Sequence, residues 1–339
     1  MSAHKDPWRL PLIPEDDHIR FALDFISEAC GLTKSVQAEL AGAYIEKKDL
    51  SPVTVADLSV QALAGLRLGE RLPGHVLVGE ESADALRGEE NAAALQAAVR
   101  FLQPFAPGAD AASVCDWIDR GNAEPTERFW TLDPVDGTKG FLRGDQYAIA
   151  LALIEDGRVQ LGVLGCPALD SRGEPVKGEG MVVIAKRGQG TWSRAVSGGA
   201  WRRLQVSAIA YEPEARLLRS YEKAHTNASD TDLVLQALHA HNEPITMDSQ
   251  AKYAVLAAGG AELLLRLLNP GKEDYKERIW DQAAGSIIVE EAGGRVTDLL
   301  GQPLDFSRGR TLAGNTGVLA TNLLLHEAAL EAVHQVTGL

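Results

Sequence analysis

The chain is poor in cysteine, in aromatic residues and in basic charge, and it holds no long apolar run. Its three cysteines, Cys30, Cys115 and Cys166, lie far apart with an odd count and no CxxC spacing. That argues against a disulfide framework or a thiolate zinc site and fits a reducing compartment. No stretch of eighteen apolar residues occurs, so no membrane-spanning helix is expected. Basic residues number 33 against 47 acidic, a formal charge of −14, which argues against non-specific attraction to nucleic acid or an anionic membrane. Residues 1–8 show neither a secretory nor a transit pattern, and the expected location is cytoplasmic. What is present is ordinary globular composition, 45% hydrophobic and 24% charged over 339 residues, enough for one large or two moderate domains. An anionic substrate would need local positive charge, from metals or a few placed side chains.

Apolar spacing predicts a helix through Ile19, Ala22, Leu23, Ile26 and Cys30, a second over residues 34–47 after Gly31, and a third from Ala56 to the Pro73-Gly74 break. Residues 75–79 read as a short strand ending in Glu80 and Glu81. Residues 83–119 are Ala-rich and helical around Pro104 and Pro107, like an inserted connection. The period then changes. Residues 147–154 and 158–164 are apolar runs around Glu155-Asp156-Gly157, a hairpin signal, and the first run is apolar on both faces, so it should be covered on both sides. Residues 181–185 and Gly190-Thr191-Trp192 suggest another antiparallel pair. In the last third, strands at 216–220, 261–268 and 317–320 alternate with helices at 230–239, 249–258 and 281–292, the pattern of stacked sheets covered by helices. Ser197-Gly198-Gly199-Ala200 is the expected junction between an N-terminal α+β domain, residues 1–200, and a C-terminal α/β domain, residues 201–339.

Asp133-Pro134-Val135-Asp136-Gly137-Thr138-Lys139-Gly140-Phe141 is the most informative stretch. It follows the β-forming run Arg128-Phe129-Trp130-Thr131-Leu132 and sets two carboxylates three residues apart. Asp-Pro and Asp-Gly pairs are also ordinary turn signals, and a turn alone could explain them. Two acids on one tight turn repel each other, and a hard divalent cation between them would relieve the repulsion. Gly137 and Thr138 lead into a short helix whose first N–H groups favour an anion. Cation ligands beside an anion site suggest phosphate chemistry.

Other acids share these contexts. Glu80 and Glu81 end a strand, where a solvated Glu is the ordinary case. Asp57, in Ser51-Pro52-Val53-Thr54-Val55-Ala56-Asp57, and Asp281, in Trp280-Asp281-Gln282-Ala283-Ala284-Gly285, stand at helix starts, where caps and dipole partners are common. Taken in order, these four motifs resemble those of the inositol monophosphatase superfamily, and within it the 3′(2′),5′-bisphosphate nucleotidases. The resemblance covers nearly the whole chain and implies a layered αβαβα sandwich. It implies two or three Mg²⁺ ions: Glu80, Asp133 and the carbonyl of Val135 would hold one, and Asp133, Asp136 and Asp281 a second. All these donors are oxygens, as Mg²⁺ prefers. Asp57 and Thr138 would orient and deprotonate the attacking water, and Gly137 and Thr138 would hold the phosphate through backbone N–H groups.

Further downstream, Glu222-Lys223-Ala224-His225-Thr226, Met247-Asp248-Ser249-Gln250-Ala251-Lys252-Tyr253 and Leu263-Leu264-Leu265-Arg266 resemble the nucleotidases' substrate-binding segments. His225, Ser249, Lys252 and Arg266 would contact the nucleotide, with Asp281 beside them, and Lys252 and Arg266 would meet a second phosphate. Gln282 departs from the histidine common in relatives, and residues 311–315 are less typical of that branch. The expected reaction is removal of the 3′-phosphate from adenosine 3′,5′-bisphosphate, with the sulfated analogue as a second substrate and lithium as an inhibitor. An inositol monophosphatase or inositol polyphosphate 1-phosphatase is the alternative. Ser249-x-x-Lys252 also fits a serine acyl-transfer pattern, but its Lys-Thr-Gly companion is absent. His326-Glu327 lacks the second zincin histidine. A non-enzymatic nucleotide-binding protein would be expected to lack one of the ligand acids. Oligomeric state is left open.

Overall fold

Helix α1 (Asp17–Glu39) runs straight through Gly31, where a break was expected. A glycine inside a helix costs about 1 kcal/mol, and the continuous buried stripe from Ile19 through Ile26 and Cys30 to Val36 outweighs it. The computed structural model describes residues 16–39, 45–46, 52–170, 173–174, 179–221, 228–268 and 275–339. The helix expected over 34–47 therefore ends at Glu39, and Ile45–Glu46 is instead strand β1, antiparallel to β2 (Pro52–Val53). Helix α2 (Val55–Arg71) starts at Thr54 through a capping box with Asp57.

Seven strands form the first sheet in chain order: β3 (Val76–Gly79), β4 (Arg128–Asp136), β5 (Ala148–Glu155), β6 (Arg158–Cys166), β7 (Met181–Lys186), β8 (Gly190–Ala195) and β9 (Gly198–Leu204). Strands β3 and β4 are parallel and the other neighbours antiparallel. Between β3 and β4 the chain makes α3 (Ala92–Leu102) and α4 (Ala111–Asp119), which pack on α2; α5 (Thr138–Arg143) follows β4. Residues 197–200, expected as a domain junction, lie in the turn from β8 into β9.

The second sheet has the order β11-β10-β12-β14-β13, from β10 (Leu217–Arg219), β11 (Ile245–Thr246), β12 (Leu263–Arg266), β13 (Arg295–Thr297) and β14 (Val318–Thr321). Among the described residues, four helices complete this half: α6 (Ala228–Ala237), α7 (Ala251–Ala257), α8 (Ala283–Glu291) and α9 (His326–Thr337).

Three apolar cores define the layers. In β5, Ile149, Leu151 and Leu153 join α1 and α2 in the first core, while Ala148, Ala150, Ala152 and Ile154 join α7 and α8 in the second. The strand is thus covered on both faces, as its apolar run required. Small residues on that second face let α8 approach closely: a Cβ at Gly162 would meet Ala284 O at 2.9 Å. In β12, Leu264 faces the second core, while Leu263 and Leu265 join α6 and α9 in the third. The resulting order is helices, seven-stranded sheet, helices, five-stranded sheet, helices, the expected αβαβα sandwich. No helix among the described residues is long and apolar enough to cross a membrane.

Candidate active site

The parallel pairing of β3 and β4 sets Gly79 beside Leu132, so Glu80, just past the end of β3, and Asp133, the next residue of β4, stand at the same end of that pairing. The register of β4 against β5 then shifts between Asp133 and Asp136. Pro134 has no N–H for the ladder, and a bulge there turns the following residues out of the sheet. Gly137 takes φ 85°, a conformation suited to glycine, and a side chain there would press on Ser249 Cβ at 3.0 Å. Helix α5 begins at the next residue, Thr138.

Asp57 reaches this end of the sheet from the first turn of α2. Its Oδ2 accepts the Thr54 backbone N–H at 2.8 Å and the Thr54 hydroxyl at 2.5 Å. Its Oδ1 faces the Thr138 hydroxyl at 3.4 Å, and the same hydroxyl lies 3.1 Å from the Val135 carbonyl. Asp136 Oδ2 accepts the Gln250 backbone N–H at 2.7 Å.

Asp133 is the electrostatic centre. It is 3% exposed, and among the described residues its Oδ1 has no hydrogen-bond partner. Burial, followed by the charges of Glu80, Asp136, Asp281 and Asp57, pushes its carboxyl well above the ordinary range. Burial also raises Asp281, with Glu277 and Asp136 adding to the effect and Arg266 opposing it. For Asp136, burial raises the value while Lys252, the Gln250 bond and Arg266 pull it back. A buried carboxylate oxygen without a donor, among further carboxylates, fits a hard cation, and the all-oxygen donor set has the right chemistry. Among the described residues no three acidic, histidine or cysteine side chains form a ready-made metal cage.

On the opposite side, Ser249 has φ 67° and its hydroxyl accepts the Ala251 N–H at 3.2 Å. Lys252 is 5% exposed; its ammonium donates to Ser220 Oγ at 3.2 Å and Met247 O at 3.3 Å. Burial lowers its pKa to about 8, Asp136 resisting and Arg266 assisting. Arg266 is paired with Glu277, Nη2 to Oε2 at 2.7 Å and Nε to Oε1 at 3.3 Å. His225 lies outside the described residues.

The fold thus gathers Asp57, Glu80, Asp133, Val135, Asp136, Gly137, Thr138 and Asp281, and sets Ser249, Lys252 and Arg266 against them. Sequence reasoning missed the residues that join the parts. Besides its bond to Asp136, Gln250 donates Nε2 to Trp280 O at 2.9 Å and accepts Gly285 N–H at 3.0 Å. Glu277 holds Arg266 and receives Gln282 Nε2 at 2.9 Å. Gln61, four residues after Asp57, was findable from helical spacing, since it shares that helix face.

Comparison with known proteins bears on family and fold. The family model described as inositol monophosphatase family matches residues 18–337. The 3′(2′),5′-bisphosphate nucleotidase of Emericella nidulans is 39% identical over 346 residues, covering 93% of this chain and 96% of that protein. That of Schizosaccharomyces pombe is 36% identical over 344 residues, covering 95% and 96%. Among solved structures, the Thermotoga maritima IMPase superposes with a TM-score of 0.67 at 21% identity, over 95% of this chain and 99% of that one. CysQ from Bacteroides thetaiotaomicron does so with a TM-score of 0.58 at 19% identity, over 90% and 96%. These structural likenesses establish the fold, and the family match over almost the full length establishes the lineage. The chain belongs to the inositol monophosphatase family.

Proposed function

We propose that this protein is a Mg²⁺-dependent phosphatase that hydrolyses the 3′-phosphate of adenosine 3′,5′-bisphosphate to AMP and phosphate, and that it accepts the sulfated analogue. The observation that carries the phosphatase reading is the buried, donorless Asp133 oxygen with Glu80, Asp136, Asp281 and Asp57 as its charged neighbours. The names of the curated relatives support the choice of ester. Glu80, Asp133 and the Val135 carbonyl would hold one ion, and Asp133, Asp136 and Asp281 a second. When bound, the ions supply Lewis-acid activation of water and charge neutralisation at the leaving oxygen.

The chain's own residues manage the proton and the phosphate. Thr138 Oγ1 accepts a proton from the attacking water as its own hydroxyl proton passes to Asp57 Oδ1, which stands 3.4 Å away. Asp57 is held for this by Thr54, whose two bonds occupy the other carboxylate oxygen. The backbone N–H groups that follow Gly137 orient the phosphate. Lys252 and Arg266 supply the local positive charge that the acidic chain otherwise lacks, for the second phosphate; Ser249 and His225 complete the nucleotide contacts. The three described cysteines are buried and free, in keeping with the cytoplasmic placement we adopt.

The test offers purified protein adenosine 3′,5′-bisphosphate, its sulfated analogue, inositol 1-phosphate and inositol 1,4-bisphosphate at equal Mg²⁺. The two nucleotides should be preferred and Li⁺ should inhibit. A clear preference for either inositol ester overturns the substrate assignment.

A further inference from the structure

Two side chains outside the acid cluster converge on the backbone on either side of Glu80. Gln61 is fully buried on α2 and engages Glu81 in both directions. Its Oε1 accepts the Glu81 N–H at 2.8 Å and its Nε2 donates to the Glu81 carbonyl, with a second bond to Ile118 O at 2.9 Å. A Cβ at Gly79 would collide with this amide, and one at Gly121 would meet Nε2 at 2.6 Å, so both glycines leave the room it needs. From the other side Arg310, 231 residues beyond Gly79 in the chain, donates Nη2 to the Gly79 carbonyl at 2.5 Å. Its Nη1 donates to Ala123 O at 3.0 Å and Gly121 O at 3.3 Å. The same guanidinium lies 5.0 Å from the Trp280 ring centroid, a cation–π contact immediately before Asp281.

We propose that Gln61 and Arg310 are positioning residues for the cation site: they clamp Gly79 and Glu81 so that Glu80 between them is held beside Asp133, and Arg310 ties that segment to Asp281 through Trp280. The proposal rests on the reading of Glu80 and Asp281 as metal ligands. Neither clamp residue touches the ion. Each acts by removing the freedom of a short segment whose acid is repelled by its neighbours and would otherwise swing outward. A guanidinium fork that reaches three carbonyls, with a flat face left for an indole, suits this task in a way that an ammonium does not. Residues that orient a ligand in this manner typically affect metal affinity by roughly 10–100-fold.

The experiment measures Mn²⁺ binding to the full chain by electron paramagnetic resonance, without substrate, in wild type, Glu80→Gln, Arg310→Lys and Gln61→Met. Melting temperature is recorded for each variant, and amide exchange is followed at Glu81. Arg310→Lys keeps the charge and loses the fork; Gln61→Met keeps the volume and loses the amide. Both should weaken Mn²⁺ by roughly 10–100-fold while remaining folded, with faster exchange at Glu81 in Gln61→Met. A lowered melting temperature with wild-type Mn²⁺ affinity would reduce both residues to fold stabilisers and overturn the proposal. Should Gln61→Met not fold, the half-buried Arg310→Lys decides alone. If Glu80→Gln itself binds Mn²⁺ like wild type, the ligand reading has failed and the clamp with it. Loss in Glu80→Gln with full binding in Arg310→Lys refutes the clamp only.

Discussion

The acidic and basic sides of the site are built in opposite ways. On the acidic side, burial and mutual charge raise Asp133 and Asp281 well above the ordinary carboxyl range, and one Asp133 oxygen has no donor. On the basic side, the cations named above among the described residues already have partners: Arg266 has Glu277, and Lys252 has Ser220 and Met247. The basic side is organised before any ligand arrives, whereas the acidic side stores repulsion that only positive charge or protons relieve. On the proposed reading, a metal would contribute binding energy on the acidic side, and the substrate would meet cations whose geometry is already fixed.

The sharpest way to break this comparison is to remove charge from the acidic side. Asp136→Asn should lower kcat by about 10³-fold, the equivalent of several kcal/mol of lost charge stabilisation, with circular dichroism unchanged. Activity near wild type would mean that the acid surplus is not functional. On the basic side, Lys252→Met should raise KM for the bisphosphate by about 10–100-fold, as expected for one charge-assisted contact, and change KM for a monophosphate less. Because burial lowers the Lys252 pKa to about 8, wild-type KM for the bisphosphate should climb above that pH. The variant should lack this rise.

Stability supplies the two smaller tests. The folded-state pKa of Asp133 is raised, so the stability of its protonated form is fully present below pH 3.8 and is lost as pH rises through the elevated value. In EDTA at pH 8, Asp133→Asn should therefore melt higher than wild type, by about 2–4 °C for each kcal/mol relieved. That advantage should shrink as the buffer is made acidic. Mg²⁺ should raise the wild-type melting temperature at pH 8 and do so less at pH 5. His326 offers a contrast of opposite sign. Buried between the hydroxyls of Thr297 and Thr321, it is pushed down to about 4, first by burial and then by Arg295. Its contribution is present above pH 6.5 and is lost as pH falls toward 4. His326→Gln should flatten that part of the melting profile by a few degrees.

The acids were legible because each stands at or near the end of a regular element, Asp133 at the register shift inside β4, and strand ends, bulges and helix caps leave marks in composition. The doubly covered β5 was legible for a similar reason, since its apolar run leaves no polar face. Gly31 misled because its lost propensity is small beside the burial of α1. Strand β9 was hidden by the Gly198-Gly199 pair, which reads as a linker yet starts a strand. Helical spacing puts Gln61 on the face of Asp57, but its partners at Ile118 and Glu81 were not legible, and neither were Glu277 and Arg310, because each acts on chain distant in sequence or through another side chain. A single sequence does not record such contacts. Arg266 reads from the sequence as a partner for a second phosphate, and its ion pair with Glu277 could come only from the folded arrangement.

The parallel pairing of β3 with β4 has an evolutionary consequence. Parallel neighbours need a long return path, and here that path carries α3 and α4 away from the catalytic edge before β4 begins. The separation of Glu80 from Asp133 is set by strand register, not by how many residues intervene. Closure entropy grows only slowly with length. A lineage can therefore lengthen, shorten or redecorate the excursion between residues 84 and 110, acquiring new surfaces there, while the strand register that spaces Glu80 from Asp133 stays constant.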